Sequence, residues 1–182
     1  MGNGPAFRQA AADLAGALAR RGLGLIYGGA RVGLMGVLAD AMLQHRAEVI
    51  GVIPQALVDL EIAHGGLSDL RVVGSMHERK ALMVELADGF IAMPGGFGTF
   101  EEFCEVLTWA QLGLHRKPCG LLDVDSYFDP LLTLFDHAVS TGFLRPENRA
   151  LVLKANGPEG LLDLFASYQP VSVPKWITPA QA

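Results

Sequence analysis

Five short apolar runs, each leading into a stretch of helical periodicity, constrain this chain more than any other feature. They are "LGLIY" (23–27), "AEVIGVIP" (47–54), "LRVVG" (70–74), "GFIAMP" (89–94) and "KPCGLLD" (117–123). Runs of this length with little polar alternation suit strands covered on both faces, as in a parallel sheet. The intervening segments read as helices. One starts near Pro5, a good first-turn residue, and stops at Gly22. The next follows "GGARVG" and runs through Gln44. Others span Ser75 to Ala87, about Thr99 to Leu112, and about Asp129 to Ser140, with a last short helix after Pro158. The alternation predicts an α/β fold, a Rossmann-like open parallel sheet flanked by helices. Residues 55–68 read as a loop with some local structure. The tail, about 168–182, is punctuated by proline and reads as extended. There are no repeats, low-complexity stretches or linkers, and 182 residues suit a single domain spanning 1–182.

Charge and composition narrow the partners. The net charge is −5 with no basic stripe, so a nucleic-acid polymer is not expected, while a small anion in a local pocket is. Half the chain (51%) is hydrophobic, rich for a monomer, which points to a buried partner surface. Cys104 and Cys119 lack metal-ligand spacing and form no disulfide framework, and the five histidines are scattered, so no metal site is expected. "MGNGPAFRQAA" has no apolar core of a signal peptide, and no apolar run reaches membrane-spanning length. A soluble, cytoplasmic protein is expected.

The densest chemical signal is "AMPGGFGTFEEF" (92–103). Pro94 ends a strand. Gly95, Gly96 and Gly98 allow positive φ and close approach of a ligand to the backbone. Thr99 reads as the N-cap of the next helix, whose first amides and dipole favour an anion. One glycine would mean only a turn; three in four positions at the carboxyl end of a strand point to phosphate binding. Thr99 and Glu102 also spell a capping box, so Glu102 reads either as a structural cap or as a reactive carboxylate. At about 100° per residue it shares a face with Thr99, Val106 and Trp109, beside the apolar stripe of Phe103, Val106 and Ala110.

Upstream, "SMHERKALMVELA" (75–87) places Arg79 on one face with Met76, Leu82, Met83 and Leu86. A buried arginine needs an anion, because breaking such a pair costs about 3–5 kcal/mol. The anion is either a protein carboxylate or a ligand phosphate, which guanidinium fits well. Lys80 lies about 100° away, as a second ligand contact or on a solvated face. Ser75 and Glu78 fit a capping box, giving Glu78 a structural role.

"MHERKALM" (76–83) followed by "PGGFGTFEE" (94–102) resembles the Lonely Guy family, the cytokinin riboside 5′-monophosphate phosphoribohydrolases, often mislabelled lysine decarboxylases. "YGGARVGLMG" (27–36), "VIGVIP" (49–54) and "TWAQLG" (108–113) match as well, so the likeness runs from about residue 4 to the tail. The resemblance implies hydrolysis of the N-glycosidic bond of a nucleoside 5′-monophosphate, AMP or a cytokinin nucleotide, to free base and ribose 5-phosphate. By matching position it implies Arg79 and Glu102 as the catalytic pair. It implies Glu61, Lys80, Gly95, Gly96, Phe97, Gly98, Thr99, Glu101 and Thr108 as substrate contacts. No cofactor is implied, and a homodimer is.

The chain departs from the family pattern in two places. Members usually begin with a strand and a Cys-Gly-Ser type turn; here the sequence opens in the leader of the first helix, "GNGPAF". The absent strand would sit in the middle of the sheet, leaving strand edges unpaired. Ala30 stands where a third glycine is usual, which matters only if that position needs positive φ. Two other readings stand beside the hydrolase. One is a non-hydrolytic nucleotide or cofactor carrier on the same fold. The other is a pyridoxal-dependent lysine decarboxylase, which needs a Schiff-base lysine. None of Lys80, Lys117, Lys154 and Lys175 sits in a recognisable setting for one.

Overall fold

The computed structural model describes residues 2–60, 62–67 and 69–170. Glu61, one of the expected substrate contacts, and residues 171–182 of the tail lie outside the described residues. The chain divides between Ala87 and Asp88 into two compact units. Each carries three parallel strands with helices between them, the expected parallel α/β class, hydrogen-bonded as two groups of three.

The first unit contains α1 (Pro5–Arg20), β1 (Leu25–Tyr27), α2 (Gly33–Gln44), β2 (Val49–Pro54), α3 (Gln55–Val58), β3 (Asp69–Val73) and α4 (Met76–Leu86). The strand order is β1-β2-β3, all parallel, with Tyr27 opposite Gly51 and Ile53 opposite Val72. β2 is buried along its whole length, as an unbroken apolar run predicts. α1 lies on α2 through small residues: Ala11, Ala15 and Ala17 are inaccessible to solvent, as are Ala39 and Met42 on the facing helix. Proline at the start of α1 and left-handed Gly22 after its end set its bounds. The segment after α3 is tied back to the turn after β1. Ala30 and Ala63 form an antiparallel bridge, Arg31 N donates to Ile62 O (2.9 Å), and His64 N donates to Gly29 O (2.9 Å). Gly29 adopts the left-handed φ of that turn and Ala30 does not, so alanine at position 30 carries no backbone strain.

The second unit contains β4 (Phe90–Ala92), α5 (Phe97–Gln111), β5 (Cys119–Leu122), α6 (Asp129–Ser140), α7 (Pro146–Arg149), β6 (Val152–Ala155) and α8 (Pro158–Ala166). Its order is β4-β5-β6, again parallel. α8 packs on β5 over Gly120, where an added Cβ would meet Leu161 and Phe165 at 2.7 Å. β6 and α7 were not expected from the sequence. β6 has four residues and includes Lys154, which interrupts its apolar character; Lys154 ion-pairs with Asp123 (2.7 Å) and Asp129 (2.6 Å). Among the described residues β1 pairs with β2 alone and β4 with β5 alone.

Candidate active site

The glycine segment after β4 starts its helix earlier than the sequence suggests. α5 begins at Phe97, not near Thr99, and its N-cap is Gly96, in extended conformation. Thr99 N and Phe100 N both donate to Gly96 O, at 3.0 and 3.2 Å. Thr99 therefore sits inside the first turn and is not the N-cap, which is Gly96, a residue with no side chain. That removes the capping-box role for Glu102, which lies in the second turn, half-buried. The amides of Phe97 and Gly98 precede the first bonds of the helical ladder, and no acidic side chain occupies the first turn. Such an end is a ready anion site.

The glycines serve this end differently from the expectation of positive φ, since Gly95, Gly96 and Gly98 all have ordinary φ. Gly95 is needed because the Thr99 hydroxyl lies over it, where a Cβ would collide. Around Gly96 and Gly98 nothing stands within 4 Å of a Cβ position. Their backbone is laid bare on that side, which is the close-approach half of the argument. Phe97, between them, is 92% exposed.

Farther along α5, Glu101 and Thr108 are both exposed, with Cys104 between them on the same face. The Thr108 hydroxyl donates to Cys104 O (2.7 Å), leaving its oxygen able to accept. Burial, and then the charge of Glu101, push the Cys104 thiol above its ordinary pKa, so it is not an activated nucleophile.

The segment between β5 and α6 braces the glycine loop. The Tyr127 hydroxyl donates to Gly95 O (2.5 Å), and its ring lies parallel to Phe100 at 6.3 Å between centroids. Next to it Phe128 is 1% exposed, meets the Tyr127 ring edge-on at 5.1 Å, and donates its amide to Asp123 Oδ1 (2.9 Å). Sequence reasoning missed Tyr127, because a bond spanning 32 residues leaves no local pattern.

In the first unit, α4 carries the cationic residues. Ser75 caps it, accepting from Glu78 N (3.1 Å), and Glu78 Oε2 accepts from Gly74 N (2.7 Å). The expected capping box is therefore present, with its return bond landing one residue earlier. Of the helix's residues only Arg79 (7% exposed) and Lys80 (9% exposed) are buried, whereas Met76 is 43% exposed. The apolar stripe predicted around Arg79 is thus not the buried face, and Lys80 is not on a solvated one. Arg79 Nε donates to Val52 O (3.3 Å), within β2. Its guanidinium also lies against Gly28, in the turn after β1, where a Cβ would overlap it. Burying two cations at the carboxyl end of a parallel sheet is costly unless anions are near.

The fold defines a parallel α/β protein, in which a helix start fronted by glycines after a strand is suited to an anion. The family model described as "possible lysine decarboxylase" matches residues 35–165. The cytokinin riboside 5′-monophosphate phosphoribohydrolase of Rhodococcoides fascians is 52% identical over 167 residues, covering 91% of this chain and 84% of that protein. A probable cytokinin riboside 5′-monophosphate phosphoribohydrolase of Oryza sativa subsp. japonica is 47% identical, covering 93% and 80%. The chain belongs to this family, the Lonely Guy family of the sequence resemblance. Among solved structures, a molybdenum cofactor binding protein from Rippkaea orientalis matches with TM-score 0.68 at 24% identity, covering 90% of this chain and 88% of that one. That likeness concerns the fold alone.

Proposed function

We propose that this protein hydrolyses the N-glycosidic bond of a nucleoside 5′-monophosphate, AMP or a cytokinin riboside monophosphate, releasing the base and ribose 5-phosphate. The observation that carries this is the glycine-fronted start of α5, with no acidic residue in its first turn, in a chain 52% identical to a phosphoribohydrolase. The amides of Gly96, Phe97 and Gly98 take the 5′-phosphate, with Gly95 and Thr99 lining the same turn. Cleavage passes through an oxocarbenium-like state. The Glu102 carboxylate stabilises that cation and orients the attacking water. Arg79 and Lys80 supply positive charge for the phosphate, and Arg79 completes the catalytic pair. Glu61, Glu101 and Thr108 contribute hydroxyl and ribose contacts. The purine leaves after protonation on its ring, so no second carboxylate, metal or cofactor enters the scheme.

The single-domain reading, 1–182, is kept as part of this proposal. So is a homodimer in the cytoplasm, where nucleoside monophosphates are found. Exposed Met76 and Val72 (43 and 47%), beside the buried cations of α4, support a partner surface in the first unit. No helix among the described residues is long and apolar enough to cross a membrane.

The test incubates purified protein with AMP and with isopentenyladenosine monophosphate and follows free base by chromatography. Release from at least one, with the unphosphorylated nucleosides much poorer, is expected. Equal rates on nucleoside and nucleotide overturn the phosphate loop. Tight nucleotide binding without any base release favours the carrier reading instead. Light scattering on the eluting protein checks the dimer.

A further inference from the structure

We infer that Tyr127 is a positioning residue for the anion-binding peptide of the glycine loop, setting the plane and the donor strength of the Gly96 amide. This rests on the phosphate-loop reading above and extends it to a residue outside the loop.

The geometry is specific. Gly95 C=O and Gly96 N–H belong to one planar trans peptide, so they point in opposite directions. Tyr127 donates to the carbonyl from one side (2.5 Å). The amide therefore faces away from the tyrosine, and around Gly96 nothing stands within 4 Å of a Cβ position. A hydrogen bond accepted by the carbonyl polarises the peptide and strengthens its N–H as a donor, by about 10–30% per bond in condensed-phase estimates. Two glycines in succession leave this peptide free to rotate. A fixed donor on its carbonyl removes that freedom before the anion arrives.

The brace itself is held firmly. Asp125 and Ser126 both adopt left-handed φ (53 and 58°), which is costly for residues with a Cβ. They turn the chain so that Tyr127 reaches Gly95 while Phe128, its neighbour, is buried. Asp123, 3% exposed, anchors the turn at both ends of its carboxylate: Oδ1 accepts from Phe128 N, and Oδ2 pairs with Lys154. The stack on Phe100 fixes the tyrosine ring against α5, the helix whose mouth it serves. Strain at two consecutive residues, spent on a surface side chain that is 38% exposed, is hard to explain by packing alone.

The test compares wild type with Tyr127→Phe, which keeps the ring and removes only the hydroxyl. Measured are KM and kcat for the nucleotide, inhibition by inorganic phosphate, thermal midpoint, and the amide NMR shift of Gly96 on titration with phosphate. Expected are a KM and a phosphate inhibition constant both raised about 5–10-fold, kcat within about twofold, a midpoint lowered by no more than a few degrees, and a reduced Gly96 shift; such a change corresponds to about 1 to 1.4 kcal/mol at the tenfold scale of binding free energy. Unchanged KM and phosphate inhibition in a folded variant overturn the inference. So does an equal loss of affinity for the unphosphorylated nucleoside. If wild-type Gly96 itself fails to respond to phosphate, the phosphate-loop reading falls, and the variant is not needed to show it.

Discussion

The guanidinium of Arg79 lies directly against the bare Cα of Gly28, so the turn after β1 and the helix after β3 are fitted to each other by the absence of one methyl group. Gly28→Ala is expected to push the arginine off Val52 O. Over-packing of this kind costs about 1–3 kcal/mol, and a catalytic group displaced by about 1 Å can cost 10²-fold. The expected result is kcat/KM for the nucleotide down about 10–100-fold, with a folded protein by circular dichroism. Normal kinetics would make the contact incidental.

Glu102→Gln separates chemistry from capping more cleanly than the sequence allowed. Because Gly96 and not Thr99 is the N-cap of α5, Glu102 is not the partner of a Thr99 capping box. The variant should lose about 10²–10⁴-fold in rate while its melting curve stays close to wild type. Unfolding at assay temperature would return Glu102 to a structural role.

The α4 cap makes a stability prediction of the opposite kind. Ser75→Ala removes the acceptor for Glu78 N, an N-cap loss of about 1 kcal/mol. For a protein of this size that lowers the thermal midpoint by about 2–4 °C. Differential scanning fluorimetry checks it.

Tyr27 should behave in reverse. It is 5% exposed, and its hydroxyl has no hydrogen-bond partner among the described residues. Burial, and then the charge of Asp40, push its pKa up to about 12. An unsatisfied buried hydroxyl costs about 1–3 kcal/mol. Tyr27→Phe is therefore expected to raise the midpoint by a few degrees; a fall would mean that the hydroxyl is bonded in solution.

His115 gives the pH dependence. Its Nε2 donates to Val106 O (2.8 Å) and its Nδ1 accepts from Lys117 N (3.2 Å), which fixes the neutral tautomer. Burial holds its pKa below the ordinary value, against the opposing pull of the Val106 carbonyl, and the Lys117 charge adds to the drop. The folded protein thus binds this proton less readily than the unfolded chain. Stability is complete above the ordinary histidine pKa of about 6.5 and declines as pH falls from there toward the depressed folded value. Melting measured from pH 7.5 to 5 should show that decline, and His115→Gln should flatten it.

Elements fixed by local chemistry were legible in the sequence. α6 runs over Asp129–Ser140 as expected, and the Ser75–Glu78 box is present because its partners are three residues apart. The start of α5 was displaced by two residues because Thr99 looks like a cap, whereas Gly96 caps by conformation and leaves no side-chain signature. β6 was missed because four residues containing Lys154 do not stand out until Asp123 and Asp129 neutralise the lysine. The exposed backbone at the start of α5 could be read from its glycines, but the reason for Gly95 could not: it is the Thr99 hydroxyl overhead, not a left-handed φ. The buried face of α4 was misjudged because helical periodicity counts apolar residues, and here the two cations are inside.

The span from Asp123 to Asp129 is fixed in length by what it joins: an anchored carboxylate and, after Val124, two left-handed residues, an exposed tyrosine and a buried phenylalanine. Inserting or deleting one residue there would rotate Tyr127 and Phe128 out of their roles together. Natural variation in this segment should therefore run to substitutions and not to changes of loop size, even though its tip faces water.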